Sequence, residues 1–437
     1  MGAAVRIRGV TAGLLLVAAG CIGTSPSSTQ GEPTGSSTSP VETPADTPSP
    51  AIPSPDPEVA TVLASLPGRL LIRSDELGLA TTRPDGGDVR RLTQDAEVLD
   101  AAWSPDGRRV AWTEVARNAD LADLVVAAPR GADRRAVAIG FAPFFLSWDP
   151  TAMRIGLLGN GAASLRLAVA DVGGGAAGVA DVAQGSPFYF SWAPAGDRLL
   201  ANRDGGGIEQ LGLDGTARRL DERTGVYQAP VWSPDGATAY YVRTRQGLAQ
   251  ELVARPTGAG APTVLTVQRG AIFFVASPDG SRIALHAREP SELDFSDPSL
   301  PSRATDLGVT VVDTRTGELT RVSDDPAIAW SWSPDGRRLA ILEPVYGPDA
   351  IVFRWRVTGG GRDIVTDPFV APLRYLRAVV PFFTQFAQSG TMWSPDGDAI
   401  AYPIDTPDGP RIVVRPTAPD ATATVVALGD TVTWSPR

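Results

Sequence analysis

The chain has 437 residues, and 43% of them are hydrophobic, so most of it can bury a large core and a disordered or fibrous protein is excluded. Its formal net charge is −10 at pH 7, and it contains no run of basic residues. This charge balance argues against nucleic acid as a partner.

The N-terminus predicts export. Within residues 1–20, Arg6 and Arg8 precede an apolar stretch over residues 10–19 that is too short to span a bilayer, the layout of a secretory signal peptide. The sequence Val17-Ala18-Ala19-Gly20-Cys21 resembles the bacterial lipobox. That resemblance implies cleavage before Cys21 and attachment of diacylglycerol to its thiol.

The lipid on Cys21 is expected to hold the mature protein on a membrane. We expect a protein anchored in the bacterial cell envelope, on the outer face of the cytoplasmic membrane or, in a diderm, in the periplasm or at the outer membrane. Residues 21–58 are rich in Ser, Thr, Pro and Gly, which is typical of a disordered tether. Cys21 is the only cysteine, so the exported domain is expected to contain no internal disulfide.

The remaining residues, 59–437, are organised around a repeat. Trp103-Ser104-Pro105-Asp106-Gly107 recurs in eight complete or partial copies, and the Trp positions lie 40 to 61 residues apart. A period of this length with four short apolar strands in each unit predicts an all-β fold, the β-propeller. The copies begin at residues 103, 148, 192, 232, 276, 332, 393 and 434, with Ala276 replacing Trp in the fifth.

The two ends of the repeat region predict how the ring closes. Residues 431–434 form a lone first strand, whereas residues 69–92 contain second, third and fourth strands without a first. Joining them gives eight four-stranded blades and leaves no exposed sheet edge at the closure. Seven blades are expected instead if one of the weak units, 192–231 or 276–331, does not form a proper blade.

The turn and the strand after it, as in residues 103–112 and 332–341, resemble the WD40-like (PD40) repeats of the TolB propeller, and the resemblance covers residues 69–437. It implies a propeller fold and allows a TolB-like role in envelope assembly. TolB has a separate α/β domain ahead of six blades, where this chain has an anchor and a tether. No functional residue of that family is carried over.

Two connections are much longer than the others, residues 288–306 and 367–391, and both are expected on the face opposite the Ser-Pro-Asp-Gly turns. The acidic first insertion is interpreted as a solvated loop, with a calcium site as the alternative. The second insertion is apolar with helical spacing and a proline that kinks it, so it is either a plug that packs on the propeller or a lid that docks a partner. Its aromatic candidates for the ligand face are Tyr375, Phe382, Phe383 and Phe386.

The starts of the innermost strands should line the entrance of the central channel. Several aromatic side chains and one carboxylate occur there and could stack on a sugar or a peptide, or could simply fill the channel. These further candidates are Asp100, Phe145, Tyr189 and Phe273.

The sequence contains no recognisable catalytic constellation. The single histidine, His286, lies in the predicted strand 282–287, and no Gly-x-Ser-x-Gly elbow occurs. We therefore predict a protein without catalytic residues, metal centre or cofactor, which binds or scaffolds a protein or glycan of the envelope. The alternatives are a carbohydrate-active enzyme with paired carboxylates on the insertion face and a TolB-like assembly factor.

Overall fold

The structure is a computed structural model that describes residues 56–93, 96–116, 121–174, 178–225, 229–245, 249–288, 308–347, 350–387 and 390–437. The predicted signal peptide, Cys21 and nearly all of the tether lie outside the described residues. The same holds for almost the whole first insertion, so its acidic loop and the alternative calcium site stay predictions.

The described residues form 31 strands, numbered here in chain order. The strands of the first half are β1 (Leu70–Ser74), β2 (Gly78–Thr82), β3 (Arg90–Arg91), β4 (Ala96–Trp103), β5 (Val110–Ala116), β6 (Ala122–Ala127), β7 (Arg135–Ala138), β8 (Pro143–Trp148), β9 (Arg154–Asn160), β10 (Leu165–Asp171), β11 (Val179–Gly185), β12 (Phe188–Trp192), β13 (Arg198–Arg203), β14 (Ile208–Gly212) and β15 (Ala217–Asp221).

The strands of the second half are β16 (Val231–Trp232), β17 (Thr238–Thr244), β18 (Ala249–Pro256), β19 (Thr263–Arg269), β20 (Ala271–Ala276), β21 (Arg282–Arg288), β22 (Thr310–Asp313), β23 (Leu319–Arg321), β24 (Ala329–Trp332), β25 (Leu339–Tyr346), β26 (Ile351–Thr358), β27 (Ile364–Val365), β28 (Ala399–Thr406), β29 (Gly409–Pro416), β30 (Thr424–Leu428) and β31 (Thr431–Trp434).

These strands form eight antiparallel blades, which confirms the predicted eight-bladed propeller. Blade 1 has the order β3-β2-β1-β31, and blades 2 to 7 each use four consecutive strands, from β4–β7 to β24–β27. Blade 8 contains β28–β30, and a short bridge between Trp393 and Ile400 takes the place of its inner strand. Both weak units form complete blades, so the seven-bladed alternative does not apply.

The ring closes where the sequence predicted. The inner strand β31 pairs with β1, with Leu70 opposite Trp434 and Ile72 opposite Val432. A helix that the sequence analysis did not identify, α1 (Pro57–Ser65), precedes β1. Its Leu63 is fully buried in the same apolar cluster as Leu70 and Ile72, so α1 packs on blade 1.

The Ser-Pro-Asp-Gly turns have a common hydrogen-bond pattern. In the first copy, the Ser104 hydroxyl donates to the Asp106 carboxylate, which also accepts the backbone N–H of Arg108, and the Gly107 N–H donates to the Ser104 carbonyl oxygen. Gly107 has φ +68°, a left-handed conformation that favours glycine and turns the chain back into the next strand. The polar groups of the turn are therefore hydrogen-bonded within the turn itself.

The repeated tryptophans join neighbouring blades. Six of them donate their indole N–H to a backbone carbonyl oxygen on the inner strand of the preceding blade, as Trp148 does to Ala102 at 3.3 Å and Trp192 does to Ser147 at 3.1 Å. Trp148 is only 4% exposed and packs in the cluster between blades 2 and 3. The repeated tryptophans are thus scaffold.

Candidate functional site

The second insertion enters the central channel. We call residues 372–387 the plug. The plug contains a π-helical turn (Tyr375–Val379), a 3₁₀ turn (Val380–Phe382) and the short helix α2 (Phe383–Phe386). Helical structure was predicted here, and Pro381 lies in the 3₁₀ turn between the two other segments, where a proline interrupts a regular helix.

The plug contacts inner strands of three separate blades. The ring of Phe383 packs edge-on against Trp330 of blade 7, with 4.5 Å between ring centroids, and Phe386 packs edge-on against Phe145 of blade 3 at 5.4 Å. On blade 4, the side chain of Gln385 accepts a hydrogen bond from the Phe190 N–H at 3.3 Å and donates one to the Phe190 carbonyl oxygen at 2.9 Å. These contacts favour the plug interpretation.

A cavity of about 230 Å³ remains between the plug and blades 1, 2, 3, 7 and 8. Trp330 and Trp355, each 2% exposed, form deep parts of its wall, whereas Arg374 and Phe144 on its lining are exposed to solvent. Most of the wall is apolar or aromatic. The channel is therefore filled in part, and the space that is left has a polar side on blades 1 and 2.

Asp100 is the only carboxylate among the described residues that line this cavity. It lies at a β-bulge in β4, and its two oxygens accept the backbone N–H groups of Ala101 at 2.9 Å and of Leu146 in blade 3 at 2.8 Å. Burial raises the pKa of Asp100 to about 7, although these N–H groups and the charge of Arg73 act in the opposite direction. The side chain thus joins two blades and is partly protonated near neutral pH.

Two arginines supply positive charge on the same side. Arg374 of the plug donates from Nε to an oxygen of Asp430 at 3.0 Å. Arg73 of β1 also lines the cavity, but its guanidinium has no hydrogen-bond or ion-pair partner among the described residues. Burial and the nearby charge of Arg374 lower the pKa of Arg73, while Asp430, Glu97 and Asp75 raise it.

Other polar groups beside the cavity also lack partners. The indole N–H of Trp355 and one carboxylate oxygen of Asp430 are buried without a hydrogen bond in the described part of the chain. Burial raises the pKa of Asp430 and of Tyr375, a residue that lines the cavity. A buried polar group without a partner costs roughly 1–3 kcal/mol of stability. Hydrogen bonding in this region is therefore less complete than in the repeated turns.

The structure brings four of the eight predicted ligand-face residues together. Asp100, Tyr375, Phe383 and Phe386 line the cavity. The other four take different positions. Phe145 is 4% exposed behind Phe386, Phe273 packs with Phe383 in one apolar cluster, Tyr189 is half-buried on β12, and Phe382 is 41% exposed.

The single histidine, His286, is buried and packs against a tryptophan. His286 is 1% exposed on β21, its Nδ1 lies 2.9 Å from the Gly308 carbonyl oxygen, and its ring packs edge-on against Trp330 at 6.0 Å between centroids. Within the described ranges, no group of three or more His, Cys, Asp or Glu side chains is arranged to hold a metal ion. Nor does any helix of that part have the length and apolarity needed to cross a membrane.

Sequence reasoning missed Arg73, Arg374, Trp330 and Trp355. Arg73 is the one charged residue within the apolar strand β1, Leu-Leu-Ile-Arg-Ser, and Arg374 is a charge inside an otherwise apolar insertion. A charged residue within an apolar segment is a sequence signal for a candidate functional position. Trp330 and Trp355 have no comparable signal. Whether they line a cavity depends on how the plug enters the channel.

Fold and site together define an eight-bladed β-propeller whose channel contains a plug and a small cavity. No family model matches the sequence, and no curated protein matches it. Solved structures with a similar arrangement include TolB from Acinetobacter baumannii, at 14% identity and a TM-score of 0.39, with 76% of this chain and 83% of that chain covered.

Two enzymes are also among the similar structures. An oligogalacturonate lyase in complex with manganese shares 12% identity at a TM-score of 0.45, with 84% of this chain and 87% of that chain covered. A prolyl endopeptidase shares 13% identity at 0.48, with 76% of this chain and 50% of that chain covered. Similarity at this level does not transfer an activity. The fold assignment rests on the eight sheets of the chain itself.

Proposed function

We propose that this chain is a lipid-anchored protein of the bacterial cell envelope whose propeller binds a protein partner on the plug face, without catalysing a reaction. The N-terminal sequence supports the anchor, because a lipobox-like motif at Cys21 is followed by a tether that would hold the domain away from the membrane. A TolB-like role in envelope assembly is one form that such binding could take.

The observation that carries the proposal is the exposure of apolar side chains on the plug. Leu373 is 59% exposed and Phe382 is 41% exposed, and Val370 just ahead of the plug is 50% exposed. Phe144, at the cavity, is 42% exposed. Large exposed apolar side chains on one inserted segment are typical of an interaction surface, since water contact with them is unfavourable.

The paired-carboxylate enzyme is the weaker candidate. A glycosidase mechanism requires two carboxyl groups roughly 5–10 Å apart in one pocket. The lining of the cavity contains one carboxylate among the described residues, Asp100, whose oxygens already accept two backbone N–H groups. A glycan ligand that is bound without catalysis remains an alternative outcome of the experiment below.

The proposal is tested by comparing two double variants in membranes of the native host. Leu373→Asp with Phe382→Asp places charge on the plug, and the matched control, Val267→Asp with Leu319→Asp, places it on exposed apolar residues of outer strands in blades 5 and 6. After crosslinking, capture and quantitative mass spectrometry, the wild type and the control should recover the same partner, and the plug variant should lose it.

Two results would contradict the partner proposal. If the plug variant recovers the same partner in the same amount, binding uses another surface. If the wild type recovers no specific protein but a glycan array shows binding, the ligand is a glycan. The anchor is tested separately, because Cys21→Ser should abolish labelling by palmitate and release the protein from the membrane; a variant that stays labelled and bound contradicts the lipid anchor.

A further inference from the structure

The channel cavity has a size and a wall that suit a small organic molecule. Its volume of about 230 Å³ is below the range of roughly 300–1,000 Å³ typical of sites for drug-sized ligands. The lining includes the aromatic rings of Trp330, Tyr375, Phe383 and Phe386. A single ring with a short side chain would therefore be surrounded by apolar and aromatic groups, which stabilise it by burial and by ring packing.

The polar side of the cavity carries two arginines, of which only Arg374 has an ion-pair partner in the described structure, Asp430 at 3.0 Å. Arg73 has no hydrogen-bond acceptor, and Arg374 uses only its Nε on Asp430, so its two terminal nitrogens are not engaged there. The Arg73 guanidinium is partly buried, and a carboxylate matches its planar fork with two parallel hydrogen bonds. The cavity thus contains a built complement to an anion.

The remaining polar groups of the wall also favour a ligand with acceptor atoms. The Tyr375 hydroxyl has no hydrogen bond in the described residues, and Tyr375 lines the cavity. Asp100 already accepts two N–H groups. The one carboxylate on the described cavity wall is therefore already engaged by donors, which is unfavourable for a cationic ligand.

We propose that this cavity binds a small organic carboxylate that carries one apolar or aromatic ring, with Arg73 and Arg374 holding the carboxylate and the ring lying among Trp330, Tyr375 and Phe383. A carboxylate is favoured over a phosphate because most of the wall is apolar and the polar groups lie on one side only. The site does not depend on the proposed protein partner, since the ligand would lie inside the channel rather than on the plug's outer surface.

The experiment uses the purified full-length protein and four probes: benzoate, 3-phenylpropionate, benzamide and inorganic phosphate. Binding is measured by calorimetry and by the fluorescence of the cavity tryptophans. At least one of the two acids should bind saturably, at least about tenfold more tightly than benzamide or phosphate. Arg73→Gln should weaken that binding about tenfold or more, and the matched control Arg90→Gln, an exposed arginine on β3, should leave it unchanged.

A second variant distinguishes loss of the binding site from misfolding. Ala378 lines the cavity and is exposed, so Ala378→Phe should fill the space and abolish binding of the acid without lowering the melting temperature. The proposal is overturned if neither acid binds at concentrations up to about 10 mM, if benzamide or phosphate binds as tightly as the acids, or if folded Arg73→Gln binds them as tightly as the wild type.

Discussion

The two faces of this ring differ in how completely their polar groups are satisfied. On the turn face, each Ser-Pro-Asp-Gly copy pairs its own hydroxyl, carboxylate and backbone groups, as Ser104 and Asp106 do at 2.6 Å. On the plug face, Arg73 and the Trp355 N–H have no partner in the described structure, and apolar side chains such as Leu373 are exposed. The repeat thus supplies stability, whereas the insertion retains unsatisfied groups that a ligand or partner can use.

The largest effect is expected on the scaffold side. Trp148→Ala should lower the free energy of unfolding by about 3–5 kcal/mol, because it empties a buried site between blades 2 and 3 and removes the hydrogen bond to Ala102. It also removes the ring on which Arg109 lies, 4.9 Å from the centroid. The change is measured by urea denaturation followed by circular dichroism.

Phe144→Ala is the matched control on the same strand, β8. Phe144 is 42% exposed, so its loss should lower the free energy of unfolding by no more than about 1 kcal/mol. Similar losses in the two variants would show that the repeated tryptophans do not dominate the stability of the ring.

A smaller effect is expected where the plug meets blade 4. Gln385→Ala should cost about 1–3 kcal/mol, because it leaves the buried N–H and carbonyl oxygen of Phe190 without the partners that Gln385 provides. Urea denaturation measures the cost, and hydrogen exchange of the Phe190 amide reports the local loss. The control Leu373→Ala, on the exposed side of the plug, should change neither the free energy of unfolding nor the exchange at Phe190. Unchanged exchange at Phe190 in the Gln385→Ala variant would contradict the anchoring role.

The smallest effect, counted per pH unit, concerns the pH dependence of stability. The pKa of Asp100 is raised to about 7 in the folded protein, against about 4 in an unfolded chain. The folded state keeps a proton that the unfolded state releases, so the stability from this group is fully present below pH about 4 and is lost as the pH rises to about 7. Asp100→Asn should reduce this loss by up to about 1 kcal/mol per pH unit.

The pH prediction is checked by measuring the free energy of unfolding of both proteins at several pH values between 4 and 7. The slope, not the stability at one pH, is the relevant quantity, because asparagine also alters the hydrogen bonds with Ala101 and Leu146. Asp106→Asn serves as the control: its turn hydrogen bonds hold the pKa of Asp106 below its usual value, so the variant should not flatten the slope. If the free energy of unfolding changes with pH by the same slope in the wild type and in Asp100→Asn, the raised pKa is contradicted.

The fold could be predicted because its determinants are local. Each Ser-Pro-Asp-Gly turn marks the end of an inner strand, and the unmatched strand at Thr431–Trp434 indicated how the ring closes. The plug could be predicted only in part. Leu373 fitted a helical apolar stripe but is 59% exposed, because a π-helical turn follows it and shifts the side chains away from the 3.6-residue spacing.

The cavity could not be predicted, because its polar wall joins residues that are far apart in the chain. Arg73 belongs to β1, Arg374 to the plug and Asp100 to a bulge in β4, and no periodicity relates them. The bulge itself, which inserts Leu99 between paired positions and redirects Asp100, leaves no clear sequence signal. Such contacts follow from the tertiary arrangement alone.

The pairing of β31 with β1 has a consequence for the order in which the protein is assembled. A chain made from its N-terminus produces β1 to β3 first, yet the inner neighbour of β1 is added only when residues 431–434 emerge. Until then β1 presents an open edge to any other strand in its surroundings. That edge therefore stays unpaired for almost the whole time of synthesis, and it is open to pairing with a wrong strand until the last blade is complete.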